Sequence, residues 1–277
     1  MRNYLKLVDF ELGRFMRLYF MLIAITVVSQ ITGVIVVAKH YMKEVNESLS
    51  GNFQSVDMFI EQNGVISLTN VTQTLWFVGP ITLCVVSLLI YVFFIWYRDW
   101  FGKNTFIYRL LMLPTERLNV YLSKASAIFL MVLGLISIQI VLIPIERMVL
   151  KWLVPTDFRI DVSIKDAIRS LDYLEIMIPN TFIDLLFNFG IGFMAVFVAF
   201  TVVLFERSYR VKGILLGVLY VFVSFVILFS PVLIDAFILN EWFYPGELFI
   251  LEVIAGVIVT AIAIWTGKYL LDHKIRV

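Results

Sequence analysis

The sequence predicts an all-α integral membrane protein, with six transmembrane helices, an amphipathic N-terminal helix and one short cytoplasmic helix. Two observations carry that prediction. The 277 residues are 61% apolar and only 16% charged, with 25 Phe, far more apolar surface than a water-soluble domain can hide. A hydrocarbon core about 30 Å thick needs roughly 20 apolar residues in a helix, and the stretches 18–38, 75–96, 125–145, 178–204, 214–239 and 248–265 meet or approach that length.

Ahead of the first span, NYLKLVDFELGRFMRLYF places Leu5, Val8, Phe10, Leu12, Phe15 and Met16 near one side of a helix. That pattern fits a helix running along the inner leaflet into the span, or simply the charged flank of a membrane helix. The first apolar run exceeds the length of about 7–15 expected of a signal-peptide core, so it reads as an anchor. Residues 39–74 are polar, with turn formers around NESLSGN, and give no readable element. The lone cysteine, Cys84, lies in the second span and reads as a small core hydrophobe. In the outer segment after the third span, Ser163 and Asp166 have capping-box spacing, and Ile164, Ile168, Leu171 and Leu174 recur at helical intervals. That helix either lies on the outer interface or packs against the spans.

Basic residues favour the side of the membrane across which they are not pushed. With the N-terminus inside, 15 of the 22 Lys and Arg fall on inner segments and 7, including Lys39, Lys43, Arg147 and Lys151, on outer ones. Both termini are therefore expected in the cytoplasm. Trp76, Trp152 and Trp242 fall near the outer interface of this map, and Trp96, Trp100 and Trp265 near the inner one, as amphipathic indoles prefer. With no linker and no repeat, residues 1–277 read as one membrane domain in contact with lipid. A net charge of +1 offers nothing to nucleic acid.

Catalytic chemistry is hard to find. Thr266, Gly267, Lys268 and Tyr269 lack the glycine spacing and the following hydroxyl of a phosphate loop. The two histidines, His40 and His273, fall on opposite sides of the membrane, so they cannot share a zinc ion. No serine nucleophile motif is present. The chain is expected to be non-catalytic and to bind no cofactor or metal itself.

A few polar residues interrupt the spans. Asn180, Asp184 and Asn188 are spaced by four and share one face of the fourth span. Asp235 and Glu252 lie toward the outer ends of their spans, and Glu146 ends the third. Ionisable groups at such depth should face protein or water. They outline either a path for a polar substrate, as in a secondary transporter or channel working through Asp184, or a set of interhelical hydrogen bonds.

The segment FIYRLLMLPTERLNVYLSK, residues 106–124, joins the second and third spans. Pro114 cannot continue a helix through Met112 and Leu113 but suits the first turn of a new one. A short cytoplasmic helix is therefore expected over 114–122, apolar through Leu118, Tyr121 and Leu122, and offering Glu116, Arg117 and Asn119 outward. A loop that only joined two spans could be about five polar residues. A basic loop that sets topology and holds anionic lipid is the other reading.

Six spans with both ends inside, an amphipathic N-terminal helix and the run Leu113, Pro114, Thr115, Arg117, Leu118, Tyr121, Ser123 and Lys124 resemble the permease subunit of an ABC-2 type ABC exporter. The resemblance implies a dimer, with a second copy or a paralogous permease, served by separate cytoplasmic ABC ATPase subunits that supply ATP and Mg. It makes Leu113, Pro114, Thr115, Glu116, Arg117, Leu118 and Tyr121 a coupling helix against the ATPase, while Asn180, Asp184 and Asn188 stay the candidate substrate pathway on the strength of their shared face alone. Lipid and sterol exporters of that family carry re-entrant helices between the fifth and sixth spans, where this chain has only about NEWFYPGE.

Overall fold

The computed structural model describes residues 2–51, 55–101, 106–112, 114–169, 172–179, 181–239 and 242–275. Helix α1 (Arg2–Gly51) runs unbroken and contains no proline. At 1.5 Å per residue its 50 residues extend about 75 Å, well beyond a hydrocarbon core. The N-terminal amphipathic segment and the first span are thus one rod. The polar stretch around NESLSGN, which gave no readable element, is mostly the end of that rod, Gly51 being its last residue. There His40 pairs with Glu44 at 3.3 Å and Lys43 with Glu47 at 3.6 Å, each one turn on.

Short helices α2 (Val56–Asn63) and α3 (Leu68–Thr72) lead into α4 (Leu75–Trp100). Helix α5 (Phe106–Leu111) and a turn precede α6 (Arg117–Leu153). The short helix expected over 114–122 is therefore displaced. Pro114 sits in the turn, and the expected helix forms the opening of α6, whose ladder starts where Asn119 N–H donates to Glu116 C=O at 2.9 Å. Beyond α6, α7 (Ile164–Arg169) and α8 (Asp172–Met177) precede α9 (Phe182–Tyr209). Helix α10 (Val211–Ile234) continues into a π-helical turn, Asp235–Leu239, and α11 (Pro245–Tyr269) ends in another, Leu270–Lys274.

Among the described residues no strand forms, and six helices, α1, α4, α6, α9, α10 and α11, are long and apolar enough to cross a membrane. This is an all-α, multi-pass membrane protein. Its contacts divide it into two compact units, one of Met1–Arg14, Leu88–Leu130 and Thr181–Val277, the other of Phe15–Ser87 and Met131–Asn180.

In the first unit, α9 and α10 are joined by Arg210 alone, at φ 55° and ψ −125°. Close approach there depends on Gly213, because an added Cβ would run into the Phe205 carbonyl. An aromatic core fills the space between helices: Trp96 and Tyr121 lie 6.1 Å apart, Tyr121 stacks on Phe197 at 5.6 Å, and Phe200 stands edge-on to both. Trp96 is thus a core residue; Trp152, Trp242 and Trp265 are exposed, as interfacial anchors are.

In the second unit, the later turns of α1 and α6 share an apolar core with α2, α3 and α7, in which Phe59 meets Tyr41 and Phe158 edge-on at 5.9 and 6.3 Å. Ile66 and Arg159 form an isolated parallel bridge. The Arg159 guanidinium donates to the last carbonyls of α6, on Lys151 at 2.8 Å and Val154 at 2.5 Å. Asp161 in turn holds Lys151 at 2.8 Å, and that hydrogen bond keeps its carboxyl below the usual carboxylate range. Ser163 caps α7 as expected, accepting from Asp166 N–H at 3.2 Å. The expected helix is interrupted rather than single, and Leu171 lies outside the described residues. Ala167 and Leu174 are buried, Leu174 with Phe77 and Ile81 of α4, which favours packing against the spans over lying on an interface. Cys84 is buried 3.4 Å from the Thr26 hydroxyl.

Candidate functional site

The segment 106–124 is anchored within the first unit by its own side chains. Lys124, about two turns into α6, has no solvent exposure. Its ammonium lies 2.6 Å from Glu11 Oε1 on α1 and 2.5 Å from Asp99 Oδ2 on α4, and also donates to the Ile95 carbonyl at 3.2 Å. The other carboxylate oxygens are taken as well: Arg98 reaches Glu11 Oε2 at 2.8 Å, and Arg14 reaches Asp99 Oδ1 at 2.7 Å. Three cations and two carboxylates thus close a charge-paired cluster, which a buried charge requires if it is not to be driven neutral. Lys124 also stands 5.3 Å from the Trp96 ring.

The cluster extends to α5. The Arg14 guanidinium sits 5.1 Å from both the Phe10 and Phe106 rings, which themselves stack at 5.7 Å. Ile107, Leu110 and Leu111 turn the rest of α5 inward. Tyr4 and Ser126 hydroxyls meet at 2.6 Å. Helices α1, α4, α5 and α6 are therefore fastened to one another at this end of the unit.

The expected coupling residues fall into two sets. Pro114 and Glu116 are exposed, beside exposed Met112. Arg117, expected to face outward, instead donates to the Leu271 and Ile275 carbonyls at the end of the last helix, the latter at 3.1 Å. This satisfies carbonyls that a helix end leaves open. Tyr121, expected as an anchor, is buried within the chain itself: its hydroxyl donates to the Phe197 carbonyl at 3.0 Å and lies 3.2 Å from the Thr201 hydroxyl. Gly267 makes room for it, since a Cβ there would stand 2.9 Å from the ring. Thr115 and Leu118 are half-buried; Leu113 lies outside the described residues. The bracket thus presents Met112, Pro114 and Glu116 outward and is held from behind by Arg117, Tyr121 and Lys124.

The fourth span starts later than the expected 178. Helix α9 begins at Phe182, so Asp184 sits in its first turn and is exposed. Asp184 accepts from the Thr181 hydroxyl, while its own N–H donates back to that oxygen at 3.1 Å, a reciprocal cap. Asn188 is half-buried one turn on, and Asn180 lies outside the described residues. Charge and capping account for Asp184 without a ligand.

Sequence reasoning missed Glu11 and Asp99 as partners of Lys124, and Arg98 and Arg14 as the second partners of those carboxylates. The signal was acidic residues within the two basic flanks, Asp9 and Glu11 before the first span and Asp99 after the second. No protein-family model, curated protein or solved structure matches the chain.

Proposed function

We propose that this chain is the non-catalytic permease subunit of an ATP-driven exporter of the ABC-2 type, paired with a second permease copy or paralogue and driven by separate cytoplasmic ATPase subunits that bind ATP and Mg. Both termini lie in the cytoplasm of a bacterial plasma membrane. The observation that carries the reading is the bracket of α5, its turn and the start of α6. It is far more built than a connection between two spans needs, and it exposes a small surface of Met112, Pro114 and Glu116 backed by the Lys124 cluster. A push on that surface is delivered to α1, α4 and α6 together, because Glu11, Asp99 and Lys124 join them. The run from Leu113 to Lys124 supports the same reading. An alternative transport route through Asp184 draws no support from an exposed capping residue.

The test is isolation of the tagged full chain from its native membranes. A stoichiometric soluble polypeptide with a phosphate loop, lost when Glu116→Arg is introduced while insertion and yield stay normal, is the expected result. Reversal of a rim charge alters recognition of a partner more than folding. Isolation of a fully active transporter with no ATPase, its transport driven by an ion gradient, contradicts the proposal.

A further inference from the structure

Four carboxyl groups are buried among the described residues: Glu11, Asp99, Glu146 and Asp235. The first two are paired with Lys124, Arg14 and Arg98, and Asp235 accepts from the Phe243 N–H at 3.1 Å. Glu146 differs. It has no solvent exposure, and neither of its carboxyl oxygens has a hydrogen-bond partner. One turn away on either side along α6, Ile143 and Leu150 belong to the apolar core that they form with Val34 and Ala38 of α1. The carboxyl is therefore set among hydrocarbon.

The charged groups of the packed elements are engaged elsewhere, face out or, in the case of Arg147, leave both Glu146 oxygens unbonded. On α1, Lys39 is exposed and His40 pairs with Glu44 at 3.3 Å. On α6, Lys151 is held by Asp161 at 2.8 Å, and Arg147 is half-buried. Arg159 lies on Asp161 at 3.3 Å and on the end of α6. Asp57 and Glu61 of α2, Lys165, Asp166 and Arg169 of α7, and Glu175 of α8 are exposed, and α4 carries no charge before residue 88. None of them hydrogen-bonds to Glu146.

An ionised carboxylate without a partner is strongly disfavoured in such surroundings. With no donor within hydrogen-bonding distance of either oxygen, a bound cation is what remains to relieve it. Divalent ions demand about six or more oxygen ligands, and among the described residues no group of three His, Cys, Asp or Glu side chains that could hold a metal ion exists. An organic amine would need space beside a side chain that is wholly enclosed. The proton needs neither ligands nor space. The geometry points to Glu146 as a proton-binding site: its carboxyl carries a proton while the core of this unit is closed, and releases it when the core opens to water. On opening, the carboxyl O–H gives its proton to an entering water, leaving carboxylate and hydronium; closing requires the reverse. Opening of this unit is thereby tied to pH, independently of any ATPase.

The test uses the full-length protein in phospholipid nanodiscs. Infrared spectra at neutral pH should show a deuterium-sensitive C=O stretch of a protonated carboxyl that is absent from Glu146→Gln. If that variant does not fold, Glu146→Leu, which suits the apolar surroundings, makes the assignment. Relative to the folded variant, the wild-type folded-to-unfolded ratio should fall as pH rises above about 4.3, by up to about tenfold per pH unit, because the native state retains a proton that the unfolded chain has lost. Absence of the band, or equal pH slopes in wild type and variant, overturns the assignment. A slope that follows sodium or potassium concentration also overturns it, in favour of an alkali cation.

Discussion

Lys124 is the centre of the buried charge cluster. Its ammonium is enclosed between Glu11 and Asp99 at 2.6 and 2.5 Å, with Arg14 and Arg98 completing the pairing. Breaking a buried pair by removing one partner typically costs about 3–5 kcal/mol. Lys124→Met should accordingly lower the thermal stability of the purified protein by about 3 kcal/mol, and adding Glu11→Gln should cost less than the two single changes together, since both act within one network. An additive loss would mean that the two groups do not interact. Part of this was legible beforehand. Lys124 stands in the run that also contains Pro114 and Tyr121, and its importance could be suspected. Its partners could not, because Glu11 and Asp99 are 88 residues apart in sequence and their neighbours looked like flanking charge that sets topology. The same limit applies to Arg117: helical spacing puts it on an outer face of a short helix, whereas the end of the last helix returns to cover it.

At the scale of elements, the six spans were readable because lipid imposes both a composition and a length. Their ends were not. Hydropathy sees the residues that would touch hydrocarbon, so 18–38 was visible but the continuous rod from Arg2 to Gly51 was not; its outer turns are held by Lys43–Glu47 and by burial of Val45. Pro114 marked a break correctly, yet the helix resumes only at Arg117. The corner between α9 and α10 is another feature no hydropathy pattern reveals. Arg210 occupies a positive φ of 55°, a region that disfavours a side chain and that glycine enters freely. Arg210→Gly should raise stability by about 1 kcal/mol, whereas Gly213→Ala should lower it by about 1–3 kcal/mol by forcing a Cβ against the Phe205 carbonyl. Thermal unfolding of the two variants beside wild type checks the opposite signs. Destabilisation by Arg210→Gly would show that the arginine makes contacts outweighing its strained backbone.

For the whole molecule, six long apolar helices establish a multi-pass membrane protein, and the excess of basic residues on one set of connections supplies the orientation proposed for it. In that orientation the Glu11–Asp99–Lys124 cluster and the exposed turn at Met112–Glu116 face the cytoplasm, where an ATPase could press on them. Residues of the polar stretch 39–74, which gave no readable element, pack with the segment after α6 around Phe59, Ile66 and Phe158. The central claim is that the turn before α6 is the surface through which ATP hydrolysis drives the membrane helices. It is tested most directly by single cysteines at Glu116 and, as a control in the outer segments, at Asp57, both exposed, with the buried native Cys84 replaced by alanine. In native membranes, Glu116→Cys should cross-link to a soluble ATPase with a yield that changes on addition of ATP and should resist impermeant thiol reagents applied to intact cells, while Asp57→Cys should label from outside and give no such product. Labelling of Glu116→Cys from outside, or efficient transport with no ATPase cross-linked at that position, would contradict the account.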